Sequence, residues 1–117
     1  MIRIKRAFEK KAPDDGYRVL VDRIWPRGID KGPAAFDSWA QELAPSQGLR
    51  DYYYENPKRW DEFQDRFREE LKSGPARKTI EALAEKAKTQ TVTLLHGSRE
   101  LVKNNAAVIK EVIEGVR

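Results

Sequence analysis

Two short runs restrict this chain most: Val19-Leu20-Val21, and the QTVTLL of Gln90 to Leu95. Both are continuous rather than alternating, and both are rich in β-branched residues. Each therefore reads as a strand covered on two faces. Strands of that kind belong to parallel sheets, whose members need crossover connections between them.

The intervening sequence changes to a helical period. Phe36 to Leu43 is expected to form a short helix stopped by Pro45, because proline disfavours helix in the residue before it. Ser46 is a candidate cap for a helix through Tyr54. Asn56-Pro57 then opens a longer one, with asparagine at the cap and proline at the first turn. Within it Trp60, Phe63, Phe67 and Leu71 form one apolar stripe among charged neighbours. Gly74-Pro75 ends that helix, Ala76 to Lys88 reads as the next, and Arg99 to Gly115 as the last. At the start, Met1 to Phe8 alternates, with Ile2, Ile4 and Arg6 on one face and Arg3, Lys5 and Ala7 on the other. Pro13-Asp14-Asp15-Gly16 is turn chemistry. Strands separated by helices predict an α/β fold over residues 1–117 as a single domain. The expected sheet is small and mostly parallel, with about three strands covered by about five helices. The connection after the first strand is about nine residues, short for a helical crossover, so the strand order stays open.

Composition excludes several chemistries. The chain of 117 residues has no cysteine, which removes disulfides, thiolate metal sites and a cysteine nucleophile. Its one histidine, His96, excludes a multi-histidine metal site. Lys and Arg number 23 against 19 acids, a net charge of +4 with the signs interspersed. That excess is weaker than the clustered basic face of a dedicated nucleic-acid binder. The opening MIRIKRAFEKK carries charges where a secretory signal needs an apolar run of about 7–15 residues. No stretch approaches the roughly 18 apolar residues of a membrane span. A cytoplasmic protein without a membrane partner is expected.

In open α/β sheets, ligands bind beyond the carboxyl ends of the strands. Two such ends stand out: Asp22-Arg23-Ile24-Trp25-Pro26-Arg27-Gly28 after the second strand, and His96-Gly97-Ser98-Arg99 before the last helix. Arg23 and Arg27 suit an anion clamp, since guanidinium presents planar paired donors to carboxylate or phosphate oxygens. Pro26 and Gly28 shape that loop. Ser98 is the natural cap of the last helix, whose free N–H groups, with Gly97 and Arg99 beside them, also favour anions. Ser46 and Arg50 repeat the theme of a cap followed four residues later by an arginine. Each has a structural alternative: the arginines can pair with internal acids, and the serines can simply cap. His96 and Asp22 are the weak catalytic candidates, one as a general acid or base, the other as a base or as the group that orients Arg23. Among the aromatics, Trp39, Trp60, Phe63 and Phe67 read as core. Trp25 and one of Tyr52, Tyr53 and Tyr54 are left as possible stacking surfaces.

The DRIWPRG string after VLV, the Ala44-Pro45-Ser46 block with Leu49-Arg50, and Pro57-x-Arg59-Trp60-x-x-Phe63 are unusual strings. So are Glu70-Leu71 and Thr93-Leu94-Leu95 with Asn105-x-Ala107. Together, in this order, the chain resembles the YeaO-like branch of the domain of unknown function 488 family over nearly its whole length. The resemblance implies a small α/β domain with a parallel sheet and no particular activity. Longer members of the wider family look as if they carry a cysteine after the Leu-Leu of the last strand, and a Cys-His-Arg stretch beyond it. Here those places hold His96 and Asn104-Asn105, so thiol chemistry does not carry over. What remains is binding, or acid–base work without a sulfur intermediate.

The function expected from these readings is binding of a small anionic, phosphate-bearing ligand at the strand carboxyl ends. Arg23, Arg27, Gly28, Ser46, Arg50, Gly97, Ser98 and Arg99 are its candidate residues. No metal site and no cofactor follow from the sequence, and whether a reaction follows binding is open. The alternative is a nucleic-acid-binding or regulatory module that uses Arg, Lys and exposed aromatics.

Overall fold

A computed structural model describes residues 1–29 and 36–116. The loop expected after the second strand runs through residues 30–35, which lie outside the described residues. Strands β1 (Ile2–Arg6), β2 (Tyr17–Leu20), β3 (Ser38–Trp39) and β4 (Val92–His96) form one sheet in the order β1-β4-β2-β3. All three strand pairs are parallel. Four helices accompany them: α1 (Gln47–Glu55), α2 (Trp60–Glu70), α3 (Gly74–Lys86) and α4 (Asn105–Gly115). The α/β class and parallel sheet agree with the sequence reading, with one strand more and one helix fewer.

The extra strand is a correction. Ser38–Trp39 was expected inside a helix, but it pairs with Val19 and Leu20 at the sheet edge, and only Gln41–Leu43 forms a single 3-10 turn. The backbone N–H groups of Asp37 and Ala40 donate to the Arg18 and Leu20 carbonyls, so the edge of β2 captures this segment. Local periodicity lost to a waiting row of acceptors.

Helix boundaries also moved. Asn56 ends α1 rather than opening the next helix: its N–H and its side-chain amide both donate to the Tyr52 carbonyl. α2 begins only at Trp60. Gly74 and Pro75 open α3 instead of closing α2, with proline in the first turn where its missing N–H costs nothing.

The continuous runs in β2 and β4 are explained by different covers on the two faces. Ile2, Val19, Val21, Val92 and Leu94 join one cluster with Leu49, Phe63, Phe67, Ile80, Leu83, Ile109 and Ile113, drawn from all four helices. Phe67 is fully buried there, and truncating such a side chain to Ala typically costs about 3–5 kcal/mol. On the opposite face Leu20, Leu95 and Ala7 meet Trp25, Ile29 and Phe36 of the long loop.

The rest of that second face lies under the connection from β1 to β2. The two strands are parallel with β4 between them, so residues 7–16 must cross β4 and return to the other end of the sheet. Ten residues reach at most about 33–36 Å, enough for a strand length plus two strand spacings without an α-helix. Asp15 staples this crossover down. Its carboxylate accepts from Lys5 Nζ at 3.0 Å, from the Ala12 N–H at 3.0 Å and from Arg18 Nη1, and its carbonyl accepts from Thr93 Oγ1 at 2.6 Å. Gly16 then turns into β2 with φ of +65°, and a Cβ there would lie 2.2 Å from the Thr91 carbonyl oxygen. Only glycine fits that turn.

Candidate functional site

At the carboxyl ends of β2 and β4 lies a cleft of about 400 Å³, closed on its far side by α1 and the start of α2. Its walls come from four places: Asp22, Arg23 and Ile24 after β2; Ala44 and Pro45 before α1; residues of α1 and α2; and Ser98, Lys103, Asn104 and Asn105 before and at the start of α4.

Three basic side chains share it. Arg23 is anchored by a 2.9 Å bond from Nη2 to the Pro45 carbonyl, while its own carbonyl accepts from Gln41 Nε2. Arg50 sits on α1 beside Asp51, whose carboxylate accepts from Gln47 Nε2 at 2.8 Å. Lys103 completes the set just before α4. Both oxygens of the Asp22 carboxylate are engaged inside the protein. Its carboxylate accepts from the Gly97 N–H at 2.7 Å and from Asn105 Nδ2 at 3.1 Å. Part of the lining is aromatic. Tyr53, Trp60 and Phe63 form that part, with Trp60 stacked on Phe63 at 5.4 Å and Tyr53 4.7 Å from Phe63. Burial, and then Glu100, push the Tyr53 phenol up, so it remains a hydrogen-bond donor at neutral pH.

Of the residues singled out in the sequence, the structure brings Asp22, Arg23, Arg50, Tyr53, Tyr54 and Ser98 to this cleft. Arg27 and Arg99 are exposed and do not line it. Gly28 has φ of +83° with open space where a Cβ would stand, so its glycine serves the turn rather than a close approach. Ser46 caps α1, as its sequence context suggests, by accepting from the Leu49 N–H. Its hydroxyl also donates to Glu70, tying α1 to the end of α2.

Ser98 is not the cap of the last helix. That role belongs to Asn104, whose Oδ1 accepts from the Ala107 N–H at 2.9 Å, so α4 begins six residues later than expected. Ser98 Oγ instead accepts from the Glu100 N–H, and its carbonyl accepts from Arg6 Nε. Asp22 does not orient Arg23; it pins Gly97 and Asn105. A Cβ on Gly97 would stand 3.1 Å from Asp22 Oδ2, which explains the glycine.

His96 is buried and does not line the cleft. Its Nδ1 accepts from the Ser98 N–H at 3.2 Å. Burial pushes its pKa down, against Asp22, which pulls it up. It is therefore a neutral imidazole held inside the strand end. Trp25 is core as well: Nε1 donates to the Ile29 carbonyl, and the ring packs on Phe36 and Trp39. Trp39, expected in the core, is partly exposed on β3 and donates to the Asp22 carbonyl.

The cleft residues the sequence reading missed include Lys103, Asn104 and Trp60, whereas Tyr53 is among the three tyrosines left as possible stacking surfaces. Trp60 was hidden because a half-buried ring at helical spacing looks like core. The asparagines were visible only as a departure, at the place where longer relatives look as if they carry Cys-His-Arg. Among the described residues no three acidic or histidine side chains gather as metal ligands would.

A family model described as the inactive DUF488-N3 subclade matches residues 1–116. The chain belongs to the DUF488 family. Among DUF488 relatives, the uncharacterized protein Rv3073c of Mycobacterium tuberculosis is 39% identical over 114 residues, covering 97% of this chain and 94% of the relative. The uncharacterized protein YeaO of Escherichia coli is 36% identical over 110 residues, covering 94% of each. No solved structure matches this DUF488 chain.

Proposed function

We propose that this DUF488 protein binds a small oxyanion-bearing ligand in the cleft at the carboxyl ends of β2 and β4, in the cytoplasm. One observation carries the reading: Arg23, Arg50 and Lys103 converge on one cleft whose Asp22 carboxylate already serves two internal donors. The cleft's size falls in the usual range for small-molecule sites, about 300–1,000 Å³. Binding without turnover suits the side chains present. The chain has no cysteine, His96 does not line the cleft, and the Ser98 hydroxyl accepts the Glu100 N–H. The description of the family model as inactive points the same way.

Each guanidinium–oxyanion contact contributes about 1.5–3 kcal/mol net. Among the described residues the Arg50 side chain makes no hydrogen bond or ion pair, so Arg50→Ala should weaken binding about tenfold or more and leave thermal stability near wild type. Arg27→Ala and Arg99→Ala, outside the cleft, should change affinity less than about twofold. Titration calorimetry with inorganic phosphate and ribose 5-phosphate measures this. Equal losses from all three arginines would point to diffuse surface charge. Fluorescence anisotropy with single-stranded DNA and RNA at two salt concentrations tests the rival. Polymer binding that falls steeply with salt, without phosphate or ribose 5-phosphate affinity, would replace the small-ligand reading.

A further inference from the structure

The proposed anion site has a second half that charge does not explain. Tyr53 and Trp60 are each only partly buried, although both pack against the fully apolar cluster around Phe63. Their rings lie 5.7 Å apart at 52° and face the same cleft as the three cations. Among the described residues neither side chain makes a hydrogen bond inside the protein, unlike Trp25 and Trp39, whose indole N–H groups are both engaged. The neighbouring Tyr54 is 88% exposed at the rim. An oxyanion alone would leave this aromatic wall wet. A flat ring against it would remove apolar area from water and gain stacking.

Resting on the anion-binding reading, we infer that the ligand is a planar aromatic anion, its ring held against Tyr53 and Trp60 and its oxyanion by Arg23, Arg50 and Lys103. A nucleoside monophosphate and an aryl carboxylate share this chemistry. Arg23 and Lys103 come from the segments after β2 and before α4, while Arg50 shares α1 with Tyr53, so charge and rings line one cleft.

Titration calorimetry on the full chain separates the terms. The probes are AMP, indole-3-acetate, adenosine, ribose 5-phosphate and acetate. The expected result is AMP at least tenfold tighter than both ribose 5-phosphate and adenosine, or indole-3-acetate at least tenfold tighter than acetate. Whichever pair shows the gain identifies the source of the anion. Trp60→Leu and Tyr53→Leu should erase most of that gain while leaving ribose 5-phosphate affinity unchanged. The comparison of ligands on the wild-type chain holds even if Trp60→Leu folds poorly. Ringless anions binding as tightly as their ring-bearing partners would overturn the inference and leave the anion site standing. Adenosine binding as tightly as AMP, or no binding by any probe, would overturn both.

Discussion

Asp22 and Asn105, 83 residues apart in the chain, are joined by a 3.1 Å bond from the asparagine amide to the aspartate carboxylate. The other carboxylate oxygen takes the Gly97 N–H at 2.7 Å, and the same asparagine amide reaches the Val21 carbonyl at 3.2 Å. One side chain thus fixes the end of β2, the end of β4 and the start of α4 against each other. The position of Arg23, one residue on, follows from that pin. Hydrogen bonds to a charged acceptor contribute about 1.5–3 kcal/mol each, less where water can reach them. Asp22→Ala should therefore lower the urea-unfolding free energy by about 2–3 kcal/mol. Gly97→Ala strains the same contact, so the double variant should lose less than the sum of the two. Strict additivity would mean that the two sites do not share the bond.

The fold class was legible because the residues that decide it, Val19 to Val21 and Thr93 to Leu95, are buried on both faces and show it locally. The β3 segment was not. Ser38 and Trp39 become strand only because β2 offers free backbone groups, a fact about a distant partner. The start of α4 was missed for a similar reason. Ser98 looks like a cap in isolation, yet His96 and Arg6 hold its backbone in a turn, and Asn104 takes the helix. At the site, arginines were visible by type, but their convergence was not. Arg23 and Arg50 line the same cleft, whereas Arg27, next to the turn at Gly28, does not.

Asp15 predicts a stability loss in acid. Burial would raise its pKa, but the Ala12 N–H, Lys5 and Arg18 outweigh that and lower it from 3.8 to about 2. A depressed folded-state pKa means that the stabilisation is complete above about pH 5 and drains away as pH falls from about 4 through about 2. Its size is about 2 kcal/mol. Asp15→Asn leaves Lys5 and Arg18 facing a neutral amide and should cost about 3–5 kcal/mol at pH 7. Urea midpoints from pH 6 to pH 2.5 should show wild type converging on the variant. A constant gap across that range would exclude an ionised Asp15 as the staple.

His96 predicts a second, milder dependence at higher pH. Burial lowers its pKa, Asp22 works against this, Arg6 adds to it and Glu9 opposes it. The unfolded chain takes up a proton near pH 6.5 that the folded chain resists. The neutral form therefore stabilises fully above that value, and stability is lost as pH falls below it. Protonating Nδ1 would also cost the bond from the Ser98 N–H. Unfolding midpoints should drop between pH 7.5 and pH 5.5 in wild type, and the slope should flatten in His96→Gln whatever that variant's absolute stability. A wild-type midpoint that does not change over this interval would mean that the imidazole titrates alike in both states.

The two rival caps of the last helix make opposite predictions. Asn104 is 4% exposed, accepts from the Ala107 N–H at 2.9 Å and donates to the Glu100 carbonyl at 2.9 Å. Removing an asparagine cap costs about 1–2 kcal/mol, and here the buried Glu100 bond is lost with it. Ser98 Oγ accepts only the Glu100 N–H, in an exposed turn. Asn104→Ala should then lower the melting temperature by several degrees, and Asn104→Ser or Asn104→Asp should restore much of it. Ser98→Ala should cost less than about 0.5 kcal/mol, as most exposed substitutions do. Thermal unfolding followed by circular dichroism reads all four. The reverse ranking, with Ser98→Ala the more damaging, would place the helix start at the strand end, and the cleft would lose the wall formed by Lys103 and Asn104.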